Sequence, residues 1–354
     1  MRHSIALALA LSLAACGSDG GTVADFDDGQ LIADFADQVA VPTYALLDQR
    51  AAALEAAAVA LEAAPSATTL EAAKAAWVAT RSPWEQNEAF LFGPVSSFGY
   101  DPAMDSWPVN TNDLEAVLAA PDELTAAYIH NLPDSQKGFH TIEYLLWGEG
   151  QAREAEDLTA RELTYLTGLS RELHATTTAL AASWTTSVDG RTPYRDVFAT
   201  AGEAGNTAYP SRTAAVQELL GGMAAICDEV ANGKIADPYD AHDPNLVESQ
   251  YSYNSLVDFQ DNLRSVRNAY TGAVADAGTS GRGLAAWVAE RDPALDTRVR
   301  AEIQAAIDAL AAIPAPFRDA IKDPTAYAKI EAAQAAIRTV KQTIEGDLTA
   351  TVLP

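Results

Sequence analysis

An all-α fold built as two four-helix-bundle-like halves is what this sequence predicts, and three observations predict it. Ala-rich stretches such as Ala51 to Ala64 and Ala332 to Ile344 carry high helix propensity, because alanine loses no side-chain entropy on entering a helix. Apolar residues recur near the helical period, as in Leu158, Leu163, Leu166 and Leu169, the last three each three apart, and no sustained alternation asks for a sheet. Breakers divide the periodic stretches, from Pro42 and Pro65 through Gly93-Pro94, Pro121, Pro133, Gly190, Pro238 and Pro293 to Pro324.

Taken in order, the chain opens with the short positive start Met1-Arg2-His3. The apolar run IALALALSLAAC follows, too short to cross a bilayer as a helix. Leu13-Ala14-Ala15-Cys16 resembles a bacterial lipobox, in which the cysteine is lipid-modified and becomes the mature N-terminus. Residues 1–15 are therefore expected to be a lipoprotein signal, and Cys16 the lipidation site that ties the chain to a membrane. Gly17 after the cysteine favours the outer membrane of a bacterial cell envelope, on its periplasmic or surface face. Residues 16–29 read as a polar tether.

Residues 30–188 are expected to form an N-terminal helical bundle, with its longest clean helix over 154–187. TTSVDGRTP beyond that helix is a natural passage to a C-terminal bundle, residues 189–354. TRSPWEQNEAFLFGP in one half and NLRSVRNAYTG in the other share Arg-Ser and then a helix ending in an aromatic and Gly, an echo compatible with duplication. With Cys16 acylated, Cys227 in MAAICDEV is the remaining thiol of two cysteines, expected to be buried and inert.

The formal charge of -26, from 23 Lys+Arg against 49 Asp+Glu, repels phosphate backbones and anionic headgroups and attracts cations. Nucleic-acid binding is thereby argued against. The same charge also serves solubility without any ligand.

QKGFHTIEYLLWG, residues 136–148, is the stretch richest in possible chemistry. At 100° per residue His140, Glu143, Tyr144 and Trp147 fall on one stripe, and Ile142, Leu145 and Leu146 on the other. Gly138 lets another backbone approach closely or caps the helix start. An ionised Glu143 in such apolar company needs a partner. His140 is one, and a bound cation is a better one. Spacing of i and i+3 suits two ligands on one metal, and equally suits a hydrogen-bonded core pair. Neither His-Glu-x-x-His nor His-x-x-Glu-His occurs here, position 144 being Tyr.

Other acids surround this stretch in the argument. Arg81, Glu85, Glu88 and Phe92 are expected on one helical face, either as a surface ion pair or as acids among Trp84, Phe90 and Leu91. Asp105, in an aromatic loop, either joins them or caps the helix that follows. Further on, Phe259, Leu263, Val266 and Tyr270 make an apolar helix face. Asp258, Asp261, Asn262 and Ser265 make the other, turned to solvent or to a site. His130, His174 and His242 read as structural or surface residues.

Together these pieces resemble the imelysin family. GFHTIEYLLWG is similar to its Gly-x-His-x-x-Glu motif. The likeness takes in Trp84, Glu85 and Glu88 running into Phe92-Gly93-Pro94, the loop Asp105-Ser106-Trp107-Pro108, and Ser252, Ser255 and Asp258. It closes with Asn262-Leu263-Arg264-Ser265 and Tyr270-Thr271-Gly272, so that nearly the whole mature chain is covered. The resemblance implies two α-helical bundles with a site where they meet, and bacterial lipoproteins linked to iron uptake, some described as peptidases. It carries metal-binding positions to His140 and Glu143, with Glu85, Glu88 and Asp105 resembling the acidic ligand set, and ligand-binding positions to Ser252, Asp258, Asn262 and Ser265.

The expected function is binding of a metal, or of a metal-containing ligand, in iron uptake alongside other components of that system. Iron or another divalent metal suits carboxylates with one imidazole, ahead of zinc. The alternative is a metallopeptidase using His140 and Glu143, a chemistry that needs about three protein ligands, an open position and a general base. A surface adhesion or scaffold module is a third reading.

Overall fold

The structure, a computed structural model, describes residues 25–353. The expected signal, Cys16 and most of the tether therefore lie outside the described residues. The long helices are α1 (Val41–Ala63), α2 (Ala67–Glu85), α3 (Tyr100–Asp105), α4 (Phe139–Trp147), α5 (Ala160–Thr185), α6 (Arg212–Glu229), α7 (Ser255–Thr271), α8 (Pro293–Ala311) and α9 (Tyr327–Thr343), with shorter turns between them. The α3 helix is brief but belongs in the series because of what its last residue does.

Local chemistry sets the ends. Ser66 accepts from the Thr69 amide and Thr69 reaches back to the Ser66 amide, so α2 starts on a reciprocal cap. Thr159 and Glu162 do the same for α5. That cap explains why the helix expected over 154–187 is observed over Ala160–Thr185: residues 155–157 close a separate 3₁₀ turn before it. The π turn Phe35–Ala40 leads into α1, and another, Val230–Lys234, extends α6.

Packing sorts the helices into two groups. In the first, α1 lies against α2 and α5, and α4 sits beside α2 and α5. In the second, α7 packs on α6 and α8, while α9 packs on α8 and α6. The groups meet where α2 lies on α7 and where the turn after α2 lies on α6. Gly222 of α6 permits this last approach, since a Cβ there would stand 2.2 Å from the Ala89 carbonyl oxygen. Trp77, Trp84, Phe139, Phe259 and Phe317 are all fully buried near these faces, each contributing roughly 1.5–3 kcal/mol on burial.

Two details differ from the sequence reading. An antiparallel pair of two-residue strands, β1 (Ala273–Val274) and β2 (Thr279–Ser280), follows α7; strands this short leave no alternation to read. The end of the expected tether is docked: Asp25 accepts the Thr213 amide at 2.9 Å, and Phe26 packs on Trp287 with ring centroids 5.2 Å apart. Cys227 is buried in α6, and burial pushes its thiol up to about 12. Among the described residues, no helix is long and apolar enough to cross a membrane.

Candidate metal centre

The α2 helix brings two charges of opposite sign to the seam and then stops. Arg81 and Glu85 keep their i,i+4 relation, but Gln86 leaves helical geometry and Asn87 Nδ2 donates to the Trp84 carbonyl at 2.6 Å. A 3₁₀ turn over Glu88–Phe90 follows, so Arg81, Glu85, Glu88 and Phe92 do not share one helix face as the sequence predicts. Arg81 and Glu85 are not a surface pair either. Both side chains are 0% exposed and meet at 2.5 Å.

Two cations organise what surrounds them. Arg81 bonds Glu85, Asp105 and Glu248, the last at 3.0 Å, and stands 4.0 Å from Asp258. Its guanidinium also lies over the Phe139 ring, 5.2 Å from the centroid. Lys234, at the end of the π turn after α6, places its ammonium 3.2 Å from Glu248, 3.4 Å from Glu88, 3.6 Å from Glu85 and 3.9 Å from Glu229.

The imidazole enters from α4. Gly138 precedes that helix with φ +82°, and a Cβ there would lie 2.2 Å from the Met104 carbonyl oxygen. Only a glycine lets the end of α3 come so close, and that closeness sets Asp105 against His140. His140 Nε2 stands 3.1 Å from Asp105 Oδ1 but off the axis a hydrogen bond needs, while Nδ1 lies 3.2 Å from Glu143 Oε2. Trp84 Nε1 donates to the other Asp105 oxygen at 2.6 Å. Asp105 does not cap the next helix as one reading had it; Asn110 does.

Glu143 has its other oxygen taken up by the Ser252 hydroxyl at 2.6 Å, the Ser252 amide at 2.8 Å and the Tyr251 amide at 3.2 Å. It therefore orients the imidazole from behind, in the manner of a carboxylate supporting a histidine ligand. From α7, Asn262 Nδ2 donates to Glu85 at 2.6 Å, Ser265 Oγ accepts the Ala89 amide at 3.1 Å, and Asp258 accepts the Ser249 hydroxyl at 2.6 Å. Ser252, Asp258, Asn262 and Ser265 thus come together around the cluster, each with a partner inside the protein. The polar face of α7 is turned to the seam and not to solvent.

A cavity of about 620 Å³ opens beside the cluster, with Glu88, Asp105, Lys234 and Glu248 inside and Asp101 and Glu229 among its walls. Of the metal ligands expected from the sequence, Glu88 and Asp105 reach this space; Glu85, His140 and Glu143 stand behind them. Glu248 and Lys234 were not foreseen. Neither has a local signal, since one sits in a loop and the other in a helix extension, and only folding brings them to Arg81 and Glu88.

Burial and charge divide the acids. Burial pushes Glu85 up to about 6 despite Arg81 and Lys234, and pushes Glu88 well above the usual carboxylate range. Burial acts on Asp105 too, but Arg81 and His140 outweigh it and hold that carboxyl far below the usual range. Glu248 is likewise lowered, with Lys234 and Arg81 overcoming burial. Burial alone would depress His140; the carboxylates of Asp105 and Glu143 prevail and raise it to about 9. Two overlapping sets of donors result. Asp105, His140 and Glu248 each offer a ligand atom within 4.8 Å of the others, and so do Glu85, Glu88 and Asp105.

Comparison with known proteins gives a consistent picture. The family model described as Imelysin matches residues 40–344. The chain is 33% identical over 337 residues to "Iron-regulated protein A" of Synechococcus elongatus, covering 95% of this chain and 89% of that protein. The crystal structure of an iron-regulated protein A precursor from Parabacteroides distasonis superposes with a TM-score of 0.82 at 29% identity, covering 92% of this chain and 95% of the other. An imelysin-like protein from Psychrobacter arcticum shares the fold, with a TM-score of 0.71 at 15% identity over 93% and 98% of the two chains.

Proposed function

The chain belongs to the imelysin family, within its iron-regulated protein A relatives, and from that premise we propose that the seam between its helix groups binds a divalent cation, iron foremost. One observation carries this reading: a buried imidazole nitrogen without a hydrogen bond lies within 4.8 Å of carboxylate oxygens of Asp105 and Glu248, and both of those acids line an open cavity.

The donors fit such an ion. Asp105 and Glu248 are held as carboxylates by Arg81, and Glu248 keeps one oxygen without a partner. His140 would supply the nitrogen and Glu143 would fix its ring. Two carboxylates and an imidazole suit iron or manganese in the divalent state. Bound there, the ion would be held as cargo or signal, and the residues would serve to bind it, exclude water and release the imidazole proton. Uptake would proceed at the cell envelope, with the lipid on Cys16 as anchor and other iron-uptake components as partners.

Titration tests the reading. Wild-type protein should take up Fe²⁺ or Mn²⁺ at one site, and His140→Ala should lose that uptake while its circular dichroism is unchanged. Equal uptake by the variant would remove His140 from the account.

A further inference from the structure

Lys234 is an unusual resident for an acidic pocket. Its side chain is 8% exposed, and oxygens of Glu85, Glu88, Glu229 and Glu248 stand 3.2–3.9 Å from its ammonium. Three separate parts of the chain supply those oxygens: the end of α2 with the turn after it, the end of α6, and the loop before α7. A single positive charge ringed by carboxylates is the arrangement a metal ion would itself adopt.

Arg81 shares some of these acids but differs in kind. Its planar guanidinium is fully buried, forked between Asp105, Glu85 and Glu248 and laid over Phe139. Lys234 is a point charge on a flexible stem and lines the open cavity. The cavity of about 620 Å³ that it lines gives the stem space to move. Nearby, His140 Nε2 and Glu248 Oε2 are buried polar atoms without hydrogen bonds. They are possible metal-ligand atoms that the ammonium leaves unpaired.

We propose that Lys234 is a tethered competitor for the pocket: its ammonium stands where a divalent cation enters, and the cation binds by displacing it into the cavity. The inference rests on the reading of this seam as a cation site. It adds a device to that site, an internal counter-ion that keeps the acids paired when no metal is present and sets how tightly metal is held. At Lys234 only ion pairs are exchanged, and the imidazole proton of His140 leaves to solvent when Nε2 becomes a ligand.

Calorimetric titration of Mn²⁺ into wild type, Lys234→Met and Lys234→Arg tests it. Where an occupant holds a site most of the time, removing it raises apparent affinity by the inverse of the free fraction, so Lys234→Met should bind about tenfold more tightly or better. Lys234→Arg, which keeps the charge, should gain nothing. Lys234→Met binding no tighter than wild type, in protein whose uptake depends on His140, overturns the displacement and leaves the cation site standing. Absence of Mn²⁺ uptake in all three overturns the site and the displacement together. Should Lys234→Met fail to fold, wild type answers by itself: acylation of Lys234, read by mass spectrometry, should rise several-fold with saturating Mn²⁺, and no rise rejects the proposal.

Discussion

Among the described residues, two histidines lie between two carboxylates, and they are not alike. His140 has Glu143 at 3.2 Å on one nitrogen and Asp105 at 3.1 Å on the other. His174 of α5 has Glu55 at 2.7 Å and Asp48 at 3.7 Å, both from α1. The second set is 29–30% exposed, with Arg171 and two threonine hydroxyls nearby; the first is sealed to 5% or less. Water screens the His174 set, and its ion pairs are worth little. At His140 screening is absent, every charge depends on a partner, and Arg81 and Lys234 supply the positive charge that the buried acids need in the fold. The same acid–imidazole–acid pattern is thus ordinary at one place and consequential at the other, and burial makes the difference.

That contrast can be broken most forcefully at Arg81. Arg81→Met leaves Glu85, Asp105 and Glu248 short of a buried partner and should cost about 3–5 kcal/mol in denaturant unfolding. A loss below about 1 kcal/mol would mean the seam is as well screened as the surface. Next in size is metal uptake. His140→Ala should weaken Mn²⁺ binding by roughly 100-fold, at least the cost of losing a group that merely supports a ligand. His174→Ala should leave it untouched, and equal losses in the two variants would erase the distinction.

Acidity sharpens the comparison further. His140 is raised from the usual 6.5 to about 9, so the folded chain binds its proton more tightly than the unfolded chain. The stabilisation this gives is complete below pH 6.5 and fades as pH rises through 9. The melting-temperature gap between wild type and His140→Gln should be widest in the acid part of that window and close towards its top. A gap that widens with rising pH would contradict the sign. Mn²⁺ binding at neutral pH should release a proton, seen as a dependence of binding heat on buffer. The smallest effect belongs to the surface set: His174→Ala should cost under about 1 kcal/mol, and a larger loss would show that this seam is less open to solvent than it looks.

How far the sequence foretold this depends on the reach of each signal. Helices announced by propensity and periodicity were legible as elements while their ends were not: α5, expected from residue 154, starts at Ala160 behind the Thr159 cap. The His140–Glu143 pair was legible because a helix fixes residues three apart on one side. The end of α2 was not, because nothing local tells Gln86 to leave the helix; the turn there answers to α6 and α7. Glu248 and Lys234 were invisible for the same reason. Apart from Glu229, five residues before Lys234, the acids and the arginine they meet lie 14 to 167 residues away along the chain, and no pattern within a window holds that information. His174 was read as a structural or surface residue, and it stands half-buried beside two acids that went unseen because they come from another helix.

The widened coil at Val230–Lys234 has a bearing on how such a chain tolerates change. It holds one more residue than a regular turn requires, and the bulge absorbs that surplus so that the backbone on either side keeps nearly the same phase. Loss of a single codon at Asn232 would close it to an ordinary turn and leave the amine on nearly the same side of the axis, so this is a place where the seam can lose a residue without turning Lys234 away from its acids.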